Sequence, residues 1–130
     1  MEITAYFEED EVEATHWWFK GRRKLFGEIL AACGIGKGDA ILDAGTSSGS
    51  NLRLLRDLGF RNYRGLELSP EAIAISDRKG LGPVERGDIC AMPFADGSFD
   101  FVFSTDILEH VEDDNRALSE IHRVLKPGGR

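Results

Sequence analysis

Ala40-Ile41-Leu42-Asp43-Ala44-Gly45-Thr46-Ser47-Ser48-Gly49 decides the fold of this 130-residue chain. Ala40 to Asp43 is a short apolar run that ends in an acid, the pattern of a buried strand, and it runs straight into a glycine-bearing loop. The helix that follows Gly49 carries Leu52, Leu55 and Leu58 on one face before Gly59 stops it. The same alternation continues outward. Strand 2 is expected over Tyr63 to Glu67, followed by a helix opened by Ser69-Pro70-Glu71, with a serine cap, a proline at the first turn and an acid against the positive dipole end. Strand 3 is expected over Val84 to Asp88 and strand 4 over Phe99 to Ser104. A last helix, capped at Asp113 or Asp114, places Ala117, Leu118, Ile121, Val124 and Leu125 on one face before Lys126-Pro127-Gly128-Gly129 breaks it. Strands alternating with helices in this rhythm predict an α/β chain with a parallel sheet flanked by helices.

In such a sheet the ligand crevice lies outside the carboxyl ends of the strands, so Asp43, Glu67, Asp88 and Asp106 converge on one site. Four acids repel a pyrophosphate, and the loop is neither GxGxxG nor GxxxxGK[ST], which disfavours a dinucleotide or a phosphate cradle. They suit instead a sulfonium, an ammonium group, ribose hydroxyls and an adenine amine, all four of which S-adenosylmethionine carries. Gly45 lets the backbone approach a ligand closely, and Thr46, Ser47 and Ser48 offer hydroxyls and N–H groups near a helix N-terminus, a seat for a carboxylate. Glu67, 22 residues after Gly45, is placed to accept ribose hydroxyls, and Asp88 to accept from an adenine amine with Ile89 as an apolar wall. Plain turn-capping or solvated roles for the same acids stay open on this reasoning alone.

Together the stretches ILDAGTSSGS, YRGLELSPEAI, ERGDICAMPFADGSFDFVFSTDILEHV and RALSEIHRVLKPGG closely resemble class I S-adenosylmethionine-dependent methyltransferases of the small-molecule branch, over residues 38 to 129. The resemblance implies a Rossmann-like sheet of which this chain holds the first four of seven strands. It implies a cofactor set of Asp43, Gly45, Thr46 and Gly49 at the methionine end, Glu67 with Leu68 at the ribose, Asp88 and Ile89 at adenine, and Ser104 with Thr105 closing from strand 4. One departure is Ser47, where the family usually has a glycine. Another is length: the sequence stops where a fifth strand would begin, which leaves a cofactor-binding domain over 38–130 preceded by an arm and helix over 1–37 on the lid or substrate side.

On the substrate side the candidates are Trp18, Arg22 and Asp106. Trp17, Trp18 and Phe19 form either a lid or wall over the ligands or the core face of the first helix, with Arg22 reaching a carboxylate. His110, near Asp106 and Glu109, is the one candidate base; similar acid and His spacing occurs in quinone-type O-methyltransferases, which the stretch resembles weakly. A hydrogen-bonded helix-start histidine is the plainer reading of His110. The expected function is methyl transfer to a small molecule, with a non-catalytic cofactor-binding or partner-assembly module as the alternative. A dehydrogenase fragment would need the missing GxGxxG loop.

A net charge of −7 argues against nucleic acid, and Lys20, Arg22, Arg23 and Lys24 read as the solvated face of a helix. No apolar run is long enough to span a membrane, and the acidic N-terminus is unlike a secretory signal, so a cytoplasmic chain is expected. Cys33 and Cys90 stand alone, without the spacing of a metal site. Strand 4, with Phe101, Val102 and Phe103, is expected to be an open edge, which makes the chain either a homodimer paired through that edge or an aggregation-prone monomer.

Overall fold

A computed structural model describes residues 16–105 and 107–130. The expected arm over residues 1–15, and Asp106, lie outside the described residues. The element order is α1 (Trp17–Ala32), β1 (Ile41–Ala44), α2 (Ser50–Asp57), β2 (Tyr63–Glu67), α3 (Pro70–Arg78), β3 (Val84–Arg86), β4 (Phe101–Phe103), a 3₁₀ turn (Leu108–His110) and α4 (Asp114–Val124).

Local chemistry accounts for most boundaries. The Ser69 hydroxyl accepts the Ala72 N–H at 3.3 Å with Pro70 next in the chain, and the Asp113 carboxylate accepts the Arg116 N–H at 3.0 Å. At α1 the His16 ring nitrogen accepts the Trp18 N–H, and Gly34, with φ of 68°, ends the helix.

The four strands form a parallel sheet in the order β3-β2-β1-β4, with Asp43 of β1 opposite Gly65 on one side and Phe103 on the other. The chain moves outward from β1 to β3 and then returns to the far side of β1. This reversal is a topological switch point, where open α/β sheets leave a crevice at the carboxyl ends of the strands. The period of two sorts side chains into two cores. Ile41, Phe101 and Phe103 pack with Leu30 of α1 and with Leu52 and Leu55 of α2. Leu42, Ala44 and Leu66 pack on the opposite face with Ala117 and Val124 of α4. Each fully buried leucine contributes about 1.5–3 kcal/mol by leaving water. Asp43 shares the parity of Ile41, so its carboxylate enters the α1/α2 side of the sheet.

Two strands are shorter than the sequence suggests. β3 ends at Arg86, and Asp88 lies in a turn, bridged to Ala91, with its own carboxylate accepting the Cys90 N–H at 2.8 Å. That self-bonded turn is what a Gly-Asp pair favours over continued extension. β4 begins at Phe101, because Phe99 pairs instead with Leu125. Nor is the outer edge of β4 bare: the Val102 N–H donates to the Arg130 carbonyl at 2.8 Å, and the Arg130 N–H donates to the Asp100 carbonyl at 3.0 Å. The predicted open edge is therefore partly satisfied within the chain. Among the described residues no helix is long and apolar enough to cross a membrane. Cys33 and Cys90 are half-buried free thiols.

Candidate functional site

The loop between β1 and α2 is built on left-handed backbone. Gly45 and Gly49 have φ of 80° and 92°, and Ser47, at 54°, is the only non-glycine residue with positive φ among the described residues. Sterics enforce both glycines. A Cβ on Gly45 would run into the Ile107 side chain, and one on Gly49 would lie 2.9 Å from Ser76 Oγ and 3.0 Å from Leu81 Cδ1. The strand glycine Gly65 serves the same loop, since a Cβ there would sit 2.8 Å from Thr46 Cγ2.

Asp43 lies under the loop, fully buried. Its carboxylate accepts the Thr46 hydroxyl at 2.7 Å and the Asn51 amide at 3.1 Å. Burial pushes the Asp43 carboxyl above the usual carboxylate range, and the two hydrogen bonds and the nearby Arg22 charge offset only part of that rise. Glu67 is also buried. One of its oxygens accepts the Ser47 N–H at 2.9 Å, and the other accepts the N–H groups of Leu68 and Ser69 at 2.8 and 2.9 Å. A carboxylate offers about four acceptor positions, so three backbone donors leave room for roughly one more. Leu68 is 60% exposed beside it.

Ile89 is buried within the second core, against Leu66 and Met92. Its loop is held from α4: Arg123 donates to the carbonyls of Met92 and Phe94 at 3.1 and 2.7 Å and to Asp96 at 2.8 Å, and also bonds Glu120. Nothing in the sequence pattern singled out Arg123; a lone arginine on a helix gives no hint that it reaches across to carbonyl groups. The hydroxyls of Ser48 and Ser104 are buried without a hydrogen-bond partner among the described residues. Most buried side-chain polar atoms have a hydrogen-bond partner, so these two call for one from outside the chain or from water.

From the other side of the crevice, Arg22 of α1 donates to the Thr105 hydroxyl oxygen at 2.6 Å, and Asn51 donates to the same oxygen at 3.2 Å. Asp43, Asn51, Thr105 and Arg22 thus form one polar chain from beneath the loop to the first helix. The basic cluster does not act as a single solvated face. Arg22 turns inward and Arg23 pairs with Asp57 at 2.9 Å, whereas Lys20 and Lys24 are exposed. Trp17 and Trp18 are 76% and 44% exposed, so neither is a core residue, and only Phe19 of the three aromatics is half-buried. His110 stands on the 3₁₀ turn with its side chain 75% exposed and Glu109 at 3.7 Å.

The sheet order and the left-handed loop after β1 define a Rossmann-like α/β architecture. Comparison with known proteins narrows it. The Methyltransferase domain family matches residues 42–130. Demethylmenaquinone methyltransferase of Chlorobaculum parvum is 35% identical over 112 residues, which are 85% of this chain and 43% of that protein. Phosphoethanolamine N-methyltransferase 2 of Caenorhabditis elegans is 31% identical over 99 residues, 72% of this chain and 23% of its own. Among solved structures, the complex between the Haloferax volcanii Trm112 methyltransferase activator and a methyltransferase superposes with a TM-score of 0.79 at 32% identity, covering 97% of this chain and 54% of that one. The chain belongs to the methyltransferase-domain family, within the group of class I S-adenosylmethionine-dependent methyltransferases. It spans less than half the length of these two curated relatives.

Proposed function

We propose that the chain binds S-adenosylmethionine at the carboxyl ends of β1 and β2 and supports methyl transfer to a small-molecule acceptor on the α1 side. The observation that carries this reading is the pairing of a left-handed Gly45-to-Gly49 loop with the buried carboxylate of Glu67, which keeps acceptor capacity beside it. The orphaned hydroxyls of Ser48 and Ser104 fit the same ligand, since each would gain a polar partner.

In this reading residues 38–130 hold the cofactor. Asp43, Gly45, Thr46, Gly49 and Ser104 face its methionine end, Glu67 and Leu68 its ribose, and Asp88 and Ile89 its adenine. Residues 1–37 supply the acceptor side through Trp18 and Arg22, and Asp106 is assigned there from sequence alone. When bound, S-adenosylmethionine supplies an electrophilic methyl on a sulfonium. The chain's own task is to align the acceptor with that methyl and keep water out, and alignment can be worth about 7–11 kcal/mol. A base is required only for an acceptor that must lose a proton first. His110 would have to leave its exposed position to serve as one. The relatives' acceptors, by name a quinone precursor and an amine, support a small molecule, and the family's chemistry fits a cytoplasmic location.

A second reading, a cofactor-binding module completed by a partner chain, is favoured by the similarity to a protein solved with an activator. Homodimerisation through β4 has less support, because Arg130 already bonds that edge. Calorimetric titration with S-adenosylhomocysteine tests the cofactor site. Binding near 10 μM, about −7 kcal/mol, that disappears in Glu67→Ala is expected. Folded wild-type chain that takes up no ligand would overturn the reading in favour of partner assembly.

A further inference from the structure

Arg116, Glu120 and Arg123 recur along α4 at spacings of four and three, so they share one face of the helix. Asp113 sets the start of that face by capping the Arg116 N–H. All three side chains bond the backbone of one irregular stretch. Arg116 Nε donates to the Cys90 carbonyl at 2.9 Å, Glu120 accepts the Met92 N–H at 3.2 Å, and Arg123 donates to the carbonyls of Met92 and Phe94 at 3.1 and 2.7 Å. Arg123 also bonds Glu120, which keeps the two heads aimed at the same residue. Backbone groups that no strand or helix satisfies need partners from elsewhere, and this face of α4 supplies them in matching sign: a donor for each carbonyl and an acceptor for the N–H.

The stretch begins one residue after Ile89, so Asp88 and Ile89 are held between two anchors. Upstream, the Gly87 N–H donates to the Glu67 carbonyl at 3.1 Å, and downstream Arg116 holds Cys90. The upstream anchor is tightly packed, since a Cβ on Gly87 would lie 2.9 Å from Leu66 Cδ1 and 3.1 Å from Pro93 Cδ. The downstream anchor acts on Asp88 directly. The Cys90 N–H donates to the Asp88 carboxylate at 2.8 Å, and the carbonyl of the same residue is the one Arg116 holds. Moving Cys90 therefore moves the Asp88 carboxylate, which is otherwise exposed and has further acceptor positions to offer a ligand. A hydrogen bond weakens steeply once its distance and angle leave a narrow range, so a small displacement there is enough to lose one.

We propose that Arg116, Glu120 and Arg123 are positioning residues for the adenine end of the cofactor: through the Cys90-to-Phe94 backbone they set where Asp88 stands, and with it the preference for adenine over a base that carries an oxo group in place of the amine. The proposal rests on the reading above that places S-adenosylmethionine here with Asp88 at the adenine amine. The full chain is titrated calorimetrically with S-adenosylhomocysteine and with S-inosylhomocysteine, in which that amine is replaced by oxygen, and urea midpoints are measured on the same proteins. Wild type is expected to prefer the adenine ligand by about tenfold or more, the worth of one hydrogen bond to a charged group. In Arg116→Ala, which removes one exposed side chain, and in Arg123→Lys, which cannot span two carbonyls as the planar guanidinium does, the preference is expected to fall to about twofold or less. Arg116→Lys keeps a donor for the single Cys90 carbonyl and is expected to retain it. Asp100→Asn, which loosens the chain away from the turn, is expected to lower the urea midpoint and leave the preference intact. A preference equal to wild type in both Arg116→Ala and Arg123→Lys, or one lost in Asp100→Asn as well, would overturn the proposal and leave the cofactor reading standing. Folded wild type that binds neither ligand would instead sink the cofactor reading, and the proposal with it.

Discussion

Ser47 holds a backbone conformation that glycine adopts freely and other residues avoid at a cost of about 1–2 kcal/mol. The bond from its N–H to Glu67 helps to hold it there. Ser47→Gly is expected to stabilise the fold by about 1 kcal/mol, net of the freedom glycine adds to the unfolded chain. Urea unfolding reads this directly, and an unchanged or lower midpoint would refute the strain. The loop was legible in the sequence because its glycines flank a strand end. That Glu67 would spend three of its acceptor positions on backbone, one in the loop and two in the turn after β2, was not legible, since the donors Ser47, Leu68 and Ser69 carry no distinguishing side chain for that role.

At the scale of elements, the helix caps at Ser69 and Asp113 and the strand-helix alternation follow from local residue chemistry and could be read directly. The ends of β3 and β4 could not. Asp88 turns on its own carboxylate, and Phe99 is claimed by Leu125, a partner distant in sequence. The junction of β4 with the segment after α4 is pinned by Asp100, whose carboxylate accepts the Ala40 N–H at 2.8 Å and Lys126 Nζ at 3.2 Å. The Ala40 N–H, and then Lys126, hold the Asp100 carboxyl below its ordinary value of 3.8. A depressed folded pKa means that the folded state keeps the carboxylate ionised where the unfolded chain has begun to take up a proton. The stabilisation is thus complete above the unfolded value and fades as pH falls through the folded one. Asp100→Asn is expected to be less stable than wild type near neutral pH, by roughly 1 kcal/mol given partial exposure, and to converge with it in strong acid. Parallel unfolding curves with a constant gap at every pH would contradict this.

Across the whole molecule, α1 and the sheet are joined by apolar and polar contacts together: Leu30 is buried with Ile41 and Phe101, Phe26 meets Phe103 at 5.5 Å, and Arg22 donates to Thr105 after β4. The sequence showed α1 as a helix, yet its inward arginine and outward tryptophans depend on where β4 ends, which only the assembled sheet determines. The chain of hydrogen bonds from Asp43 through Asn51 and Thr105 to Arg22 gives both sides of the crevice a common set of atoms. Two ligands that each disturb those atoms belong to one thermodynamic cycle, so whatever factor the first applies to the affinity of the second must be returned unchanged. S-adenosylhomocysteine and a methyl acceptor bound on the α1 side are expected to alter each other's binding by an equal factor of about 5 or more, and Asn51→Ala, which cuts the shared path, to bring that factor to one. If the factor stays the same in Asn51→Ala, the coupling runs elsewhere. Reciprocity binds the equilibria alone, so any preference for which ligand enters first belongs to the rates and is a separate property of the crevice.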